Sequence, residues 1–142
     1  MPRTVVHYSE CVLPTRRKIA LFAASLLYVT AGVLHFVRPD SYVKVVPPFI
    51  PARMAMVYIS GVAEIAGGIG LLLPLFRRSA AWGIVALLIA VFPANIYMAV
   101  DHVGAGQTPV WLLWARLPAQ LLLIWWVLWC TNSRATRDIS ES

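Results

Sequence analysis

Charge is the scarcest feature of this 142-residue sequence. Only 13% of its residues are Asp, Glu, Lys or Arg, about half the share of a soluble domain. So few charges cannot cover the surface of a soluble globule. Hydrophobic residues make up 60%, which excludes a disordered chain. Cysteine occurs twice, at Cys11 and Cys130, far apart and in no C-x-x-C pair. That is too few for a disulfide scaffold or a zinc site. Acidic residues number 6 against 12 basic ones. In a soluble protein that excess would suggest nucleic acid. Here the basic residues sit at the ends of apolar runs, where they set topology and meet anionic headgroups, so nucleic acid is not an expected partner. Strand-like in–out alternation, internal repeats and low-complexity segments are missing too, which argues against a transmembrane barrel.

Long apolar runs are what the sequence has. Ile19–Val37 covers 19 residues, Met54–Phe76 covers 23, Ala80–Val100 covers 21 and Trp111–Cys130 covers 20. Each matches the roughly 20 residues a helix needs to cross a bilayer core. The expected fold is all-α: a transmembrane four-helix bundle over residues 19–130 with tails at 1–18 and 131–142. Arg77, Arg78 and Ser79 are the expected link between the second and third spans. Residues 101–110, with Gly104, Gly106 and Pro109, are the link between the third and fourth. The longest connection, 38–53, carries Pro39, Pro47, Pro48 and Pro51, which argue against a regular helix. It is also apolar, so it is expected on the membrane interface or folded over the bundle mouth.

Orientation follows from the basic residues. Arg3, Arg16, Arg17, Lys18, Arg77, Arg78, Arg134 and Arg137 fall on the side of the termini; Arg38, Lys44 and Arg53 fall on the other. Both termini are therefore expected in the cytoplasm of a bacterial inner membrane. Cys11 and Cys130 would then be unpaired thiols on the reducing side. The tryptophans of the fourth span, from Trp111 to Trp129, are expected interface anchors.

Five polar side chains interrupt the apolar runs: His35, Glu64, Asn95, Arg116 and Gln120. At 1.5 Å of rise per residue, Glu64 lies about 15 Å below the outer surface, Gln120 about 13 Å, Asn95 and Arg116 about 8 Å and His35 about 3 Å. All five fall in the outer half, and every helix contributes. Within the first span Ser25, Tyr28, Gly32 and His35 form one stripe, and Gly61, Glu64 and Gly68 share a face of the second. Small residues beside Glu64 let another helix come close. Pro93 and Pro118 each free a carbonyl one turn earlier, on Ile89 and Trp114. Arg116 and Gln120 are one helical turn apart. Glu64 and Arg116 are the expected ion pair, since an isolated charge in hydrocarbon is costly. Two roles for it stay open: a structural pair fixing helix order, or a ligand or proton site opening outward. One His and one Glu at different depths make a poor metal site, so no metal is expected.

These residues also resemble a family. Gly32-Val-Leu-His-Phe-Val-Arg-Pro39 is similar to the G-x-x-H-F-x-x-P ending of the first helix in DoxX-like membrane proteins. Ser60-Gly-Val-Ala-Glu-Ile-Ala-Gly68 is similar to that family's S-G-x-x-E-x-x-x-G second helix, and Phe92-Pro-Ala-Asn95 fits its third. The resemblance spans about residues 20–130. It implies a four-helix membrane bundle with characteristic polar positions at His35, Glu64 and Asn95. Some DoxX-like proteins are subunits of thiosulfate:quinone oxidoreductases; others are linked to redox or methylamine-pathway assembly. The paired cysteines of a thiol-redox relative are missing.

The expected function is a non-catalytic component supporting a membrane complex, redox-linked, with the bilayer, a membrane or redox protein and further copies of the chain as partners. One alternative is an oxidoreductase subunit that binds a quinone or a small sulfur compound through Glu64, Arg116 and His35. The other is a small-molecule or proton carrier acting as an oligomer; no inverted repeat favours it in a monomer.

Overall fold

The computed structural model describes residues 13–101 and 109–132. The expectations for the tails at 1–12 and 133–142, Cys11 included, and for most of the 101–110 link lie outside the described residues. Five helices follow in order: α1 (Thr15–Val37), α2 (Pro39–Val43), α3 (Arg53–Leu72), α4 (Arg77–Val100) and α5 (Val110–Thr131). All but α2 are long and apolar enough to cross a membrane. They alternate in direction. One end of the bundle carries the start of α1, the α3–α4 turn and the end of α5; we call it the terminal end. The other, the loop end, carries α2 and residues 44–52.

Proline sets three boundaries differently from the sequence expectation. The second span stops at Leu72, four residues short of Phe76, because Pro74 forces Leu73 into an extended conformation (φ −84°, ψ 114°). Residues 73–76 become the turn. Arg77, Arg78 and Ser79 are then the first turn of α4, not the link. Arg77 reaches back across that turn, its Nε donating to the Leu71 carbonyl at 3.0 Å, an acceptor the ended helix leaves free. In the long connection Pro39 does not exclude a helix. It starts one, as the first residue of α2, because its fixed φ suits that position and its missing N–H is not needed there. Ala52, with φ 52° and ψ 44°, turns the chain from the following loop into α3.

Helix order around the bundle is α1, α3, α4, α5 and back to α1, so α3 and α5 lie on a diagonal. The most extensive contact, α1 on α3, is made by backbone. A Cβ on Gly32 would stand 2.6 Å from the Gly61 carbonyl oxygen, and one on Gly68 would stand 2.9 Å from the Ser25 carbonyl oxygen. These two pairs fix the antiparallel register: Gly32 opposite Gly61, Ser25 opposite Gly68. Gly67 and Gly70 do the same for α4, facing Ile84 and Ala80.

The terminal end is filled with apolar side chains, among them Leu21, Leu71, Ile84, Val127 and Cys130. Arg17 closes it: one guanidinium nitrogen donates to the Asn132 carbonyl, and the group lies over the Trp129 ring, 5.5 Å from its centroid. That contact joins α1 to α5 and completes the ring of helices.

Gly32→Ala should therefore destabilise the protein by about 1–3 kcal/mol, the usual cost of overpacking. Gly83→Ala is the control, since nothing lies within 4 Å of its added Cβ. It should be neutral or mildly stabilising in the same unfolding measurement in detergent micelles.

Candidate functional site

The polar residues gather at the loop end, in two groups rather than one. The first sits between α1, α2 and α3. Glu64 lies between Gly61 and Gly68 on the face of α3 that meets α1, so its side chain is delivered into that interface. His35 Nδ1 lies 3.2 Å from Glu64 Oε2, and the two side chains are 12% and 16% exposed. The same Nδ1 is 2.9 Å from the Ala31 carbonyl oxygen. A carbonyl can only accept, so Nδ1 carries the hydrogen and directs it there. Glu64 Oε2 is left buried without a hydrogen bond.

Tyr42 of α2 roofs this group. Its ring stacks on His35 with centroids 3.9 Å apart and planes 28° from parallel. Burial pushes the Tyr42 phenol above its ordinary pKa; the Glu64 carboxylate adds to the effect and the Arg116 guanidinium opposes it. Both charges therefore reach Tyr42. Beneath the roof lies Tyr28, 3% exposed, whose hydroxyl is also buried without a partner.

The second group joins α4 to α5. Asn95 Nδ2 donates to Gln120 Oε1 at 2.7 Å, and Gln120 Nε2 donates to the Leu88 carbonyl. Pro93 interrupts the helix here. The carbonyl that finds a partner belongs to Leu88, one residue before the expected Ile89. Gln120 is 4% exposed, so this link is fully inside the bundle.

The expected Glu64–Arg116 ion pair is not formed. Among the described residues Glu64 has His35 as its only partner within ion-pair distance. Arg116 instead directs Nη1 at Met98 Sδ, 3.4 Å away. Helix order explains the difference: Glu64 faces α1, while Arg116 belongs to the helix diagonal to α3. Similar depth placed the two at one level of the bundle but could not place them on facing sides. Asn95 with Gln120 and His35 with Glu64 are brought together; Arg116 joins neither pair directly. Tyr42 was missed because the prolines around it were read as helix breakers. The signal was there in Pro39-Asp40, a proline followed by an acidic residue at a helix start. No group of three or more His, Cys, Asp or Glu poised to hold a metal occurs among the described residues.

Four long apolar helices with a polar cluster confined to one end define a helical multi-pass membrane protein. Within that class, the chain belongs to the family described as a domain of unknown function, DUF8561, whose model matches residues 24–131. No curated protein and no solved structure matches it significantly.

Two measurements test this geometry. In a double-mutant cycle, Glu64→Gln with Arg116→Met should show weaker coupling than Glu64→Gln with His35→Ala, as expected for charges that share a neighbour but do not touch. Asn95→Ala with Gln120→Leu should show clear coupling in the same unfolding assay. In an ultraviolet titration, Glu64→Gln should lower the pH at which Tyr42 ionises, because a charge that disfavours the phenolate is gone. Arg116→Met should raise it, since a favouring charge is lost. Equal titration curves for all three proteins would contradict the placement of Tyr42.

Proposed function

We propose that this chain is a DoxX-like protein of the bacterial cytoplasmic membrane, with both termini in the cytoplasm, acting as a non-catalytic component of a redox-linked membrane complex. The observation that carries the reading is the amide link inside the bundle: Gln120 joins Asn95 to the Leu88 carbonyl and so ties α4 to α5. Hydrogen bonds of this kind hold membrane helices together. The motif residues His35, Glu64 and Asn95 support the DoxX-like assignment, and the excess of Lys and Arg toward the termini supports the orientation. The outer surface of the bundle is apolar along its helices, with Phe22, Trp82, Leu122 and Trp125 all exposed. That surface suits lipid and the helices of a partner or of a second copy. Cys130 is buried and isolated among the described residues, which suits a structural thiol.

Reporter fusions at Ser142 and Ala105 should report opposite sides of the membrane, with Ser142 inside. In the native bacterium, deleting the gene should lower a quinone-linked respiratory activity of isolated membranes. Wild type and the double variant Cys11→Ser, Cys130→Ser should restore it equally. The purified chain alone should turn over no quinone analogue; turnover by the chain alone would replace this reading with that of an enzyme subunit.

A further inference from the structure

Arg116 carries a charge whose counter-charge is not found among the described residues. It stands in the second turn of α5, about 9 Å of helix in from Val110 at the loop end. Two other arginines at the bundle's edge find oxygen within the chain: Arg17 donates to the Asn132 carbonyl and Arg77 to the Leu71 carbonyl. Arg116 has only the Met98 thioether, 3.4 Å from Nη1, a weak acceptor for one arm of a fork of donors. A guanidinium stays charged, and a charge left alone in a membrane span is costly.

The chain's own acids do not supply the partner. Its acidic residues are Glu10, Asp40, Glu64, Asp101, Asp138 and Glu141. Among the described residues, Glu64 meets His35, and neither Asp40 nor Asp101 is within ion-pair distance of Arg116. Glu10, Asp138 and Glu141 belong to the tails that leave from the terminal end, about 24 Å from Arg116 along α5. The stretch 102–108, which joins the loop ends of α4 and α5, contains no acidic residue.

Position points to the source. Arg116 shares a stripe of α5 with Leu113, Gln120 and Val127. Those three are buried, yet Arg116 is exposed. The inward stripe of α5 is therefore open at this level. Trp111 and Trp114, nearer the start of the helix, are exposed as well. Exposed tryptophans near the end of a span mark the headgroup region. A long basic side chain just below that region reaches the phosphate layer by extending toward it.

We infer that Arg116 binds the phosphate of one phospholipid in the leaflet at the loop end, its guanidinium fork donating to two phosphate oxygens. The planar fork matches a phosphate in two-pronged fashion, which a point charge cannot do. The bound phosphate supplies the negative charge that the chain does not bring to this level. The inference goes beyond the assembly role proposed above. It depends neither on that role nor on which side of the membrane the loop end faces.

The test is native mass spectrometry of the full-length protein in detergent, supplied in turn with phosphatidylglycerol, phosphatidylethanolamine, diacylglycerol or inorganic phosphate. The wild type should retain one molecule of either phospholipid and neither diacylglycerol nor inorganic phosphate. Arg116→Met should weaken phospholipid retention by about tenfold or more, the usual loss when hydrogen bonds to a charged group are removed. Arg116→Lys keeps the charge without the fork and should fall between the two. A second measurement guards against misfolding: in bilayers, solid-state NMR should show one arginine ¹³Cζ signal dephased by ³¹P in the wild type and missing in Arg116→Met, with the other arginine signals unchanged. Equal phospholipid retention by wild type and Arg116→Met would overturn the inference. So would inorganic phosphate held as tightly as phospholipid, or a dimer that Arg116→Met dissociates, which would assign the counter-charge to a carboxylate of a second copy.

Discussion

The His35–Glu64–Tyr42 group at the loop end depends on the close approach of the α1 and α3 backbones. In hydrocarbon, helices gain little by burying apolar surface against one another, since lipid is equally apolar. Association rests on packing distance, and glycine gives the shortest. With Gly32 against the Gly61 carbonyl and Gly68 against the Ser25 carbonyl, the interface is fixed in both spacing and register. Glu64 therefore enters at a level it cannot leave. The position of His35 beside it, and of Tyr42 over His35, follows.

The two halves of the bundle solve different problems. At the terminal end, side chains such as Leu71, Ile84 and Val127 fill the centre, and a single arginine spans the seam between first and last helices. At the loop end, polar groups stand among buried apolar side chains such as Val57, Met98 and Leu113. There the α4–α5 pair is held by amides, Asn95 to Gln120, and the α1–α3 pair by glycines with a carboxyl between them. The same helices thus carry a purely apolar core over half their length and one mixed with polar groups over the rest.

Much of this was legible in the sequence. Four spans, the glycine face around Glu64 and the Ser25-Tyr28-Gly32-His35 stripe follow from run length and helical periodicity, and the structure has them. Depth put Asn95 and Gln120 in the same half of the bundle, but their direct contact was not among the expectations. What depth could not supply was azimuth. Glu64 and Arg116 share a level, but nothing in either helix states that α3 and α5 stand on a diagonal; that is decided by which neighbours the glycines select. Proline misled in the other direction. Pro74 ends α3 inside an uninterrupted apolar run, and Pro39 begins α2 inside a segment rich in helix breakers. The residue acts through position, not through presence, and position needs the helix boundaries first.

The two interior prolines have a mechanical consequence. Pro93 and Pro118 each remove one rung from the hydrogen-bond ladder of their helix. The Asn95–Gln120 bond holds these stretches of α4 and α5 side by side, so the missing rungs fall in neighbouring turns of adjacent, antiparallel helices. Each helix lacks the full stiffness of an unbroken ladder in this region. Beyond the prolines, where α4 and α5 carry Met98 and Arg116, the two segments are therefore braced by the contacts between them rather than by an intact ladder in each.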